Sequence, residues 1–133
     1  MLTPRLLIAE AMAMTVLARA ATALLPFPLL LRLVVRVAAS PAADAQDIAH
    51  ICHAVSRIAH WPVRWAVCLP QALAAHWMLA RRAIPSQIQF GVRSRSGALS
   101  SHAWLVCNGR RVLGHRAGLT YQPVFAFPPQ KAV

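Results

Sequence analysis

The sequence predicts an α+β domain in which N-terminal helices precede a small antiparallel sheet. Three observations carry this. Apolar residues in the first half recur at helical spacing, as at Ile48, Ile51, Cys52, Val55 and Ile58. In the second half they alternate, as at Ile88, Phe90 and Val92. Between two such alternating runs stands Asn108-Gly109, a strong two-residue hairpin signal.

The elements follow in order. Residues 5–24 read as a first helix and 27–38 as a second, with the bend at Pro26 and Pro28 between them. Residues 39–46 (ASPAADAQ) are a small polar linker, and Asp44 or Asp47 is a candidate cap for a helix over 47–60. Cys52 lies on the apolar stripe of that helix and reads as core. Residues 61–67 (WPVRWAV) form a connector. A helix then opens at Cys68 and runs to about Arg82, with Pro70 in its first turn, where a missing N–H costs nothing. QIQFGVR (87–93) is a strand, SRSGALSS a turn-rich loop, SHAWLVC (101–107) a strand, RRVLGH its hairpin partner and TYQPVFAF (120–127) a last strand.

With 133 residues the chain suits one small domain, and at 58% hydrophobic it has ample core material. Its acids are Glu10, Asp44 and Asp47 alone, against fourteen Lys and Arg, for a net charge of +11. Such a balance favours an acidic partner or an anionic membrane surface. The arginines are scattered and form no stripe, so a nucleic-acid role is not expected. Three cysteines without a CxxC pair argue against a disulfide framework or a zinc ribbon and point to reduced thiols in the cytoplasm. Glu10, Arg19, Arg32 and Arg36 interrupt the apolar N-terminus, whose longest uncharged run is the twelve residues 20–31. A membrane span needs roughly 20. Neither a span nor a signal peptide is therefore expected, while peripheral membrane contact remains open.

Cys68 and His102 are the candidate site. A thiol at a helix start gains from the helix dipole and lies beside unpaired first-turn N–H groups that can hold an oxyanion, those of Cys68 and Leu69. An imidazole on a strand supplies the base that a cysteine nucleophile needs. A two-residue turn at Asn108-Gly109 pairs Cys107 with Arg110, Leu105 with Val112 and His102 with His115. The group that orients the imidazole is therefore expected at or next to His115, as the His115 ring or as a backbone carbonyl. Trp65, Gln71 and Trp104 are candidates for a substrate groove. Gln71 also fits an ordinary first-turn residue, and Trp104 also fits core. His50 and His53 lie one turn apart, but no second ligand pair completes a metal site. His76 lies two turns along the Cys68 helix, too far to act as its base.

The segments CLPQALAAHWMLARRAIPSQIQFGVR and SHAWLVCNGRRVLG together resemble the leader peptidase of lasso-peptide biosynthesis. This B-protein family includes the microcin-processing protease. Its pattern is a Cys-Leu helix start, a helix end running into Gly-Ile-Pro, a Gly-Val strand and a His-Ala-Trp strand. The likeness extends over residues 47–125, and Ala83 replaces the glycine before Ile-Pro.

The resemblance implies a transglutaminase-like, papain-like core over 47–133, with residues 1–46 an apolar helical segment packed on it or docking to it. It implies a cysteine protease that removes the leader from a ribosomally made precursor peptide without metal, nucleotide or other cofactor. Cys68 would be the nucleophile and His102 the base. The family's acid does not carry over: no Asp or Glu follows Asp47, and Gly114 and His115 stand where it is expected. The resemblance also implies a separate leader-recognition protein and an ATP-dependent macrolactam cyclase as partners, with the apolar face of residues 6–37 as a docking surface. Two other readings remain. One is a catalytically degenerate scaffold of the same fold; the other is a basic module that binds a membrane surface or nucleic acid.

Overall fold

The computed structural model describes residues 4–34, 45–60, 68–107, 110–114 and 121–127. Four helices precede four strands: α1 (Pro4–Leu24), α2 (Phe27–Arg32), α3 (Ala45–Ala59), α4 (Cys68–Ala80), β1 (Gln87–Arg95), β2 (Ala98–Cys107), β3 (Arg110–Leu113) and β4 (Gln122–Phe127). The strands form one antiparallel sheet in the order β3-β2-β1-β4.

Helix α1 is a single 21-residue helix. Within it, Arg5–Leu24 is long and apolar enough to cross a membrane by length and composition. Here it packs on α3 and α4 through Leu7, Ala11 and Ala18. Helix α2 stops at Arg32, short of the expected residue 38. The β-branched pair Val34-Val35 that follows disfavours helix. Helix α3 starts at Ala45, so Asp47 lies in its first turn rather than at its cap. There its charge still complements the helix dipole. Asp44 and the connector 61–67 lie outside the described residues.

Helix α4 is buried along most of its length, from Pro70 to Leu79, because α1, α3 and the sheet surround it. A run so apolar on every face is the mark of a central helix. His76 is fully buried within it, its Nδ1 2.6 Å from Ser86 Oγ. The helix ends in a Schellman motif. The Ile84 N–H donates to the Leu79 carbonyl and the Ala83 N–H to the Ala80 carbonyl, each at 3.0 Å. Ala83 takes the left-handed position at φ 56°.

The loop expected over SRSGALSS is instead a tight hairpin. Strands β1 and β2 pair in unbroken register from Gln87↔Val106 to Arg95↔Ala98. Ser96 and Gly97 both have positive φ, 52° and 80°, as a two-residue turn that matches strand twist requires. The β2–β3 pairing begins as expected, with Cys107 opposite Arg110 and Val106 opposite Arg111. It then slips by one residue, so Leu105 faces Leu113 rather than Val112.

Ile88, Ala103, Leu105, Cys107 and Leu113 join the helices in one core. His102 and Trp104 alternate to the opposite face of β2. The strands thus divide labour: odd positions of β2 hold α4 in place, and even positions carry His102 and its neighbours.

Candidate active site

Cys68 is the first residue of α4 and is half-buried. Pro70 has no N–H, so the first-turn donors near the thiol are the amides of Cys68, Leu69 and Gln71. Gln71 is buried at the root of the helix. Cys68 and Leu69 open onto a cavity of about 360 Å³. Its other walls are Phe27 from α2; Phe90, Gly91 and Val92 from β1; Ser101, His102 and Ala103 from β2; and Val124 from β4. Cys68 and His102 thus both line this cavity, while the His102 ring lies with Trp104 on the face of β2 opposite α4. Phe27 and Phe90 meet edge to face at its rim, with ring centroids 5.6 Å apart.

His102 is buried in an aromatic nest. Its ring lies 5.1 Å from that of Tyr121 and 6.1 Å from that of Trp104. Its Nε2 is 2.6 Å from the Gly114 carbonyl oxygen. A carbonyl only accepts, so Nε2 donates, and in the neutral imidazole Nδ1 is then the basic nitrogen. This backbone bond therefore selects that tautomer. The acceptor is neutral, and it stabilises an imidazolium less than a carboxylate does.

Two glycines make this nest possible. Gly91 pairs with His102 across β1 and β2. A Cβ on Gly91 would lie 2.5 Å from the Trp104 ring. Gly114 has φ 88°, and a Cβ there would lie 2.9 Å from Trp104 Cβ. Trp104 is thus clamped between two bare backbones. It donates from Nε1 to Gln89 Oε1 at 2.8 Å, and the Arg111 guanidinium sits 4.5 Å above its ring.

Trp104 and Gln71, the other groove candidates, are buried, and neither is among the residues that line this cavity. The wall is made instead by Phe27, Leu69, Phe90, Val92 and Val124. Alternation in β1 signals Phe90 and Val92 as inward residues. Nothing in the local sequence of Phe27 or Val124 announces a cavity, because tertiary packing alone assembles them. Trp65, and His115 as an orienting ring, lie outside the described residues. The described acceptor for His102 is the Gly114 carbonyl.

The other two thiols are core. Burial pushes Cys52 up to about 12, with the nearby Cys107 adding to it, and pushes Cys107 up to about 11. Both stay protonated and unreactive at neutral pH. His50 and His53 are exposed on α3. Among the described residues no group of three or more His, Cys, Asp or Glu is placed to hold a metal ion.

The family model of the transglutaminase-like superfamily matches residues 9–126. The chain belongs to the transglutaminase-like superfamily. The match spans most of α1, all of α2 to α4 and nearly the whole sheet. No curated protein and no solved structure matches the chain. A thiol at a central helix start, with a strand histidine lining the same cavity, suits the cysteine chemistry found in this superfamily.

Proposed function

We propose that this superfamily member is a cysteine peptidase that removes the leader from a ribosomally made lasso-peptide precursor. The observation that supports it most is the single cavity shared by Cys68, at the start of α4, and His102, whose Nε2 is held by Gly114. In this reading the His102 ring turns from the opposite face of β2 toward the cavity to take the thiol proton, and the Cys68 sulfur attacks the scissile carbonyl carbon. The amides of Cys68 and Leu69 hold the oxyanion. Collapse breaks the C–N bond as the imidazolium protonates the leaving amine, which frees the core peptide. Water, deprotonated by His102, then hydrolyses the thioester and releases the leader as a carboxylate. A thiol needs less activation than a serine hydroxyl, so a Cys–His pair oriented by a carbonyl suffices. The reaction belongs to the cytoplasm. A separate protein presents the leader, and an ATP-dependent cyclase closes the ring of the freed core.

The carbonyl in place of an acid also supports a second reading, a scaffold of the same fold without turnover. Iodoacetamide labelling at neutral pH, mapped by mass spectrometry, separates the two. For the peptidase, label enters Cys68 and spares Cys52 and Cys107, and the Cys68 rate falls at least about tenfold in His102→Ala. Cleavage of a synthetic lasso precursor, in the presence of a leader-recognition protein, disappears in Cys68→Ala. Labelling of Cys68 that is indifferent to His102, with no cleavage, leaves the scaffold reading in its place.

A further inference from the structure

Helix α1 is apolar on both sides. Leu7, Ala11 and Ala18 face the core, yet Leu6, Val16, Leu17 and Leu24 on the outer side are 70%, 49%, 56% and 80% exposed. Alanines at 9, 13, 20 and 23 fill the spaces between them. An ordinary surface helix carries charged groups there. The charged side chains on this outer side are Arg5 and Arg19, both exposed. The single acid of α1, Glu10, is turned away and bound by Arg81 and Arg82.

Beside Leu17 lies an open apolar groove of about 610 Å³, walled by Met14, Ala21, Leu33 and Trp77, with Arg81 at its edge. The Trp77 Nε1–H is satisfied by the Leu33 carbonyl at 3.0 Å, so the groove offers hydrocarbon rather than hydrogen bonds.

We propose that the outer side of α1 docks on an anionic phospholipid surface. The helix lies in the plane of the interface, its leucines and Val16 among the upper acyl chains. Arg5, Arg19 and, at the end of α2, the exposed Arg32 reach the phosphates. The groove beside Leu17 takes part of one acyl chain. Charge complementarity favours this occupant: the face has cations and no uncompensated acid, on a chain of net charge +11. The inward side of α1 stays in the core throughout, so docking requires no unfolding. The proposal stands independently of the peptidase reading.

The test is co-sedimentation of the full chain with vesicles of phosphatidylcholine alone or with one third phosphatidylglycerol. Binding is expected to the phosphatidylglycerol vesicles and not to the neutral ones. The pair Leu6→Ser and Leu17→Ser leaves the net charge unchanged and, at exposed positions, leaves the melting temperature unchanged. It weakens binding at least about tenfold. Arg5→Gln with Arg19→Gln weakens it as well and flattens its salt dependence.

Absence of binding to either vesicle overturns the proposal. So does binding that Leu6→Ser and Leu17→Ser leave intact, which would make it diffuse attraction to a basic protein. Self-association of the free chain that this leucine pair abolishes would assign the face to a second copy and overturn it too.

Discussion

At the scale of single residues, most of the economy of this chain lies in its backbone positions. Ala83 sits where the helix end requires φ 56°, a conformation that costs a residue with a Cβ about 1 kcal/mol or more. The surrounding bonds hold it there: Ile84 and Ala83 both return their N–H groups to α4, and the Ile84 side chain is buried in the same core as Leu79. The expected result of Ala83→Gly is therefore stabilisation, by about 0.5–1 kcal/mol, once the greater freedom of glycine in the unfolded chain is allowed for. Urea unfolding monitored by circular dichroism measures it, and a loss of stability would show that Ala83 is not strained. The position was marked in the sequence, because Ala-Ile-Pro replaces Gly-Ile-Pro. What the sequence alone did not reveal is that the backbone keeps the glycine conformation without the glycine. Gly114 is the converse case. Its carbonyl accepts the His102 Nε2 hydrogen bond.

At the scale of elements, the most legible part of the fold was whatever local chemistry specifies. Pro70 located the start of α4, and alternation located β1 and β2. Asn108-Gly109 set Cys107 opposite Arg110. Beyond the first pairs the β2–β3 register slipped, because a bulge between Leu105 and Val106 arises from packing that no dipeptide encodes. The burial of Gln71 and Trp104 was hidden for a related reason: it depends on which neighbours fill the other face.

The bond between α1 and α4 was equally hidden. Glu10 reads as an interruption in an apolar helix, yet it binds Arg81 and Arg82, more than seventy residues away. Hydrogen bonding from Arg82, outweighing the cost of burial, and then the charges of both arginines hold its carboxyl below the ordinary 4.5. A depressed carboxyl stabilises the fold above its unfolded value and loses that contribution as pH falls through the folded one. The arginines stay charged throughout and add no pH dependence. Glu10→Gln is thus expected to cost about 1–2 kcal/mol at pH 7. The gap to wild type closes below pH 4.5, the range in which Glu10 itself takes up a proton. Parallel urea titrations at several pH values check this, and a gap that persists in acid would mean that the substituted amide disturbs packing instead.

At the scale of the whole molecule, the charge balance sets a further property. Fourteen cations against three acids leave the folded chain repelling itself, since folding brings the arginines closer than the unfolded chain does. One of the three acids is committed to the α1–α4 junction, and it answers only two of the arginines. Local attraction at Glu10 and global repulsion therefore respond to salt in opposite directions. The junction is partly shielded from solvent, with Glu10 13% exposed at its side chain, so salt screens it less than the exposed arginines. Repulsion should dominate the response. The expected outcome is that moving from about 0.02 M to about 0.3 M sodium chloride raises stability by about 1 kcal/mol, which for a domain of this size is a rise in melting temperature of about 4 °C. Sodium sulfate at equal ionic strength should raise it further, because sulfate is also excluded from apolar surface. Thermal melts across a salt series decide the matter. A melting temperature that falls with chloride would mean that ion pairs such as Glu10–Arg82, rather than net charge, govern how this fold meets its surroundings.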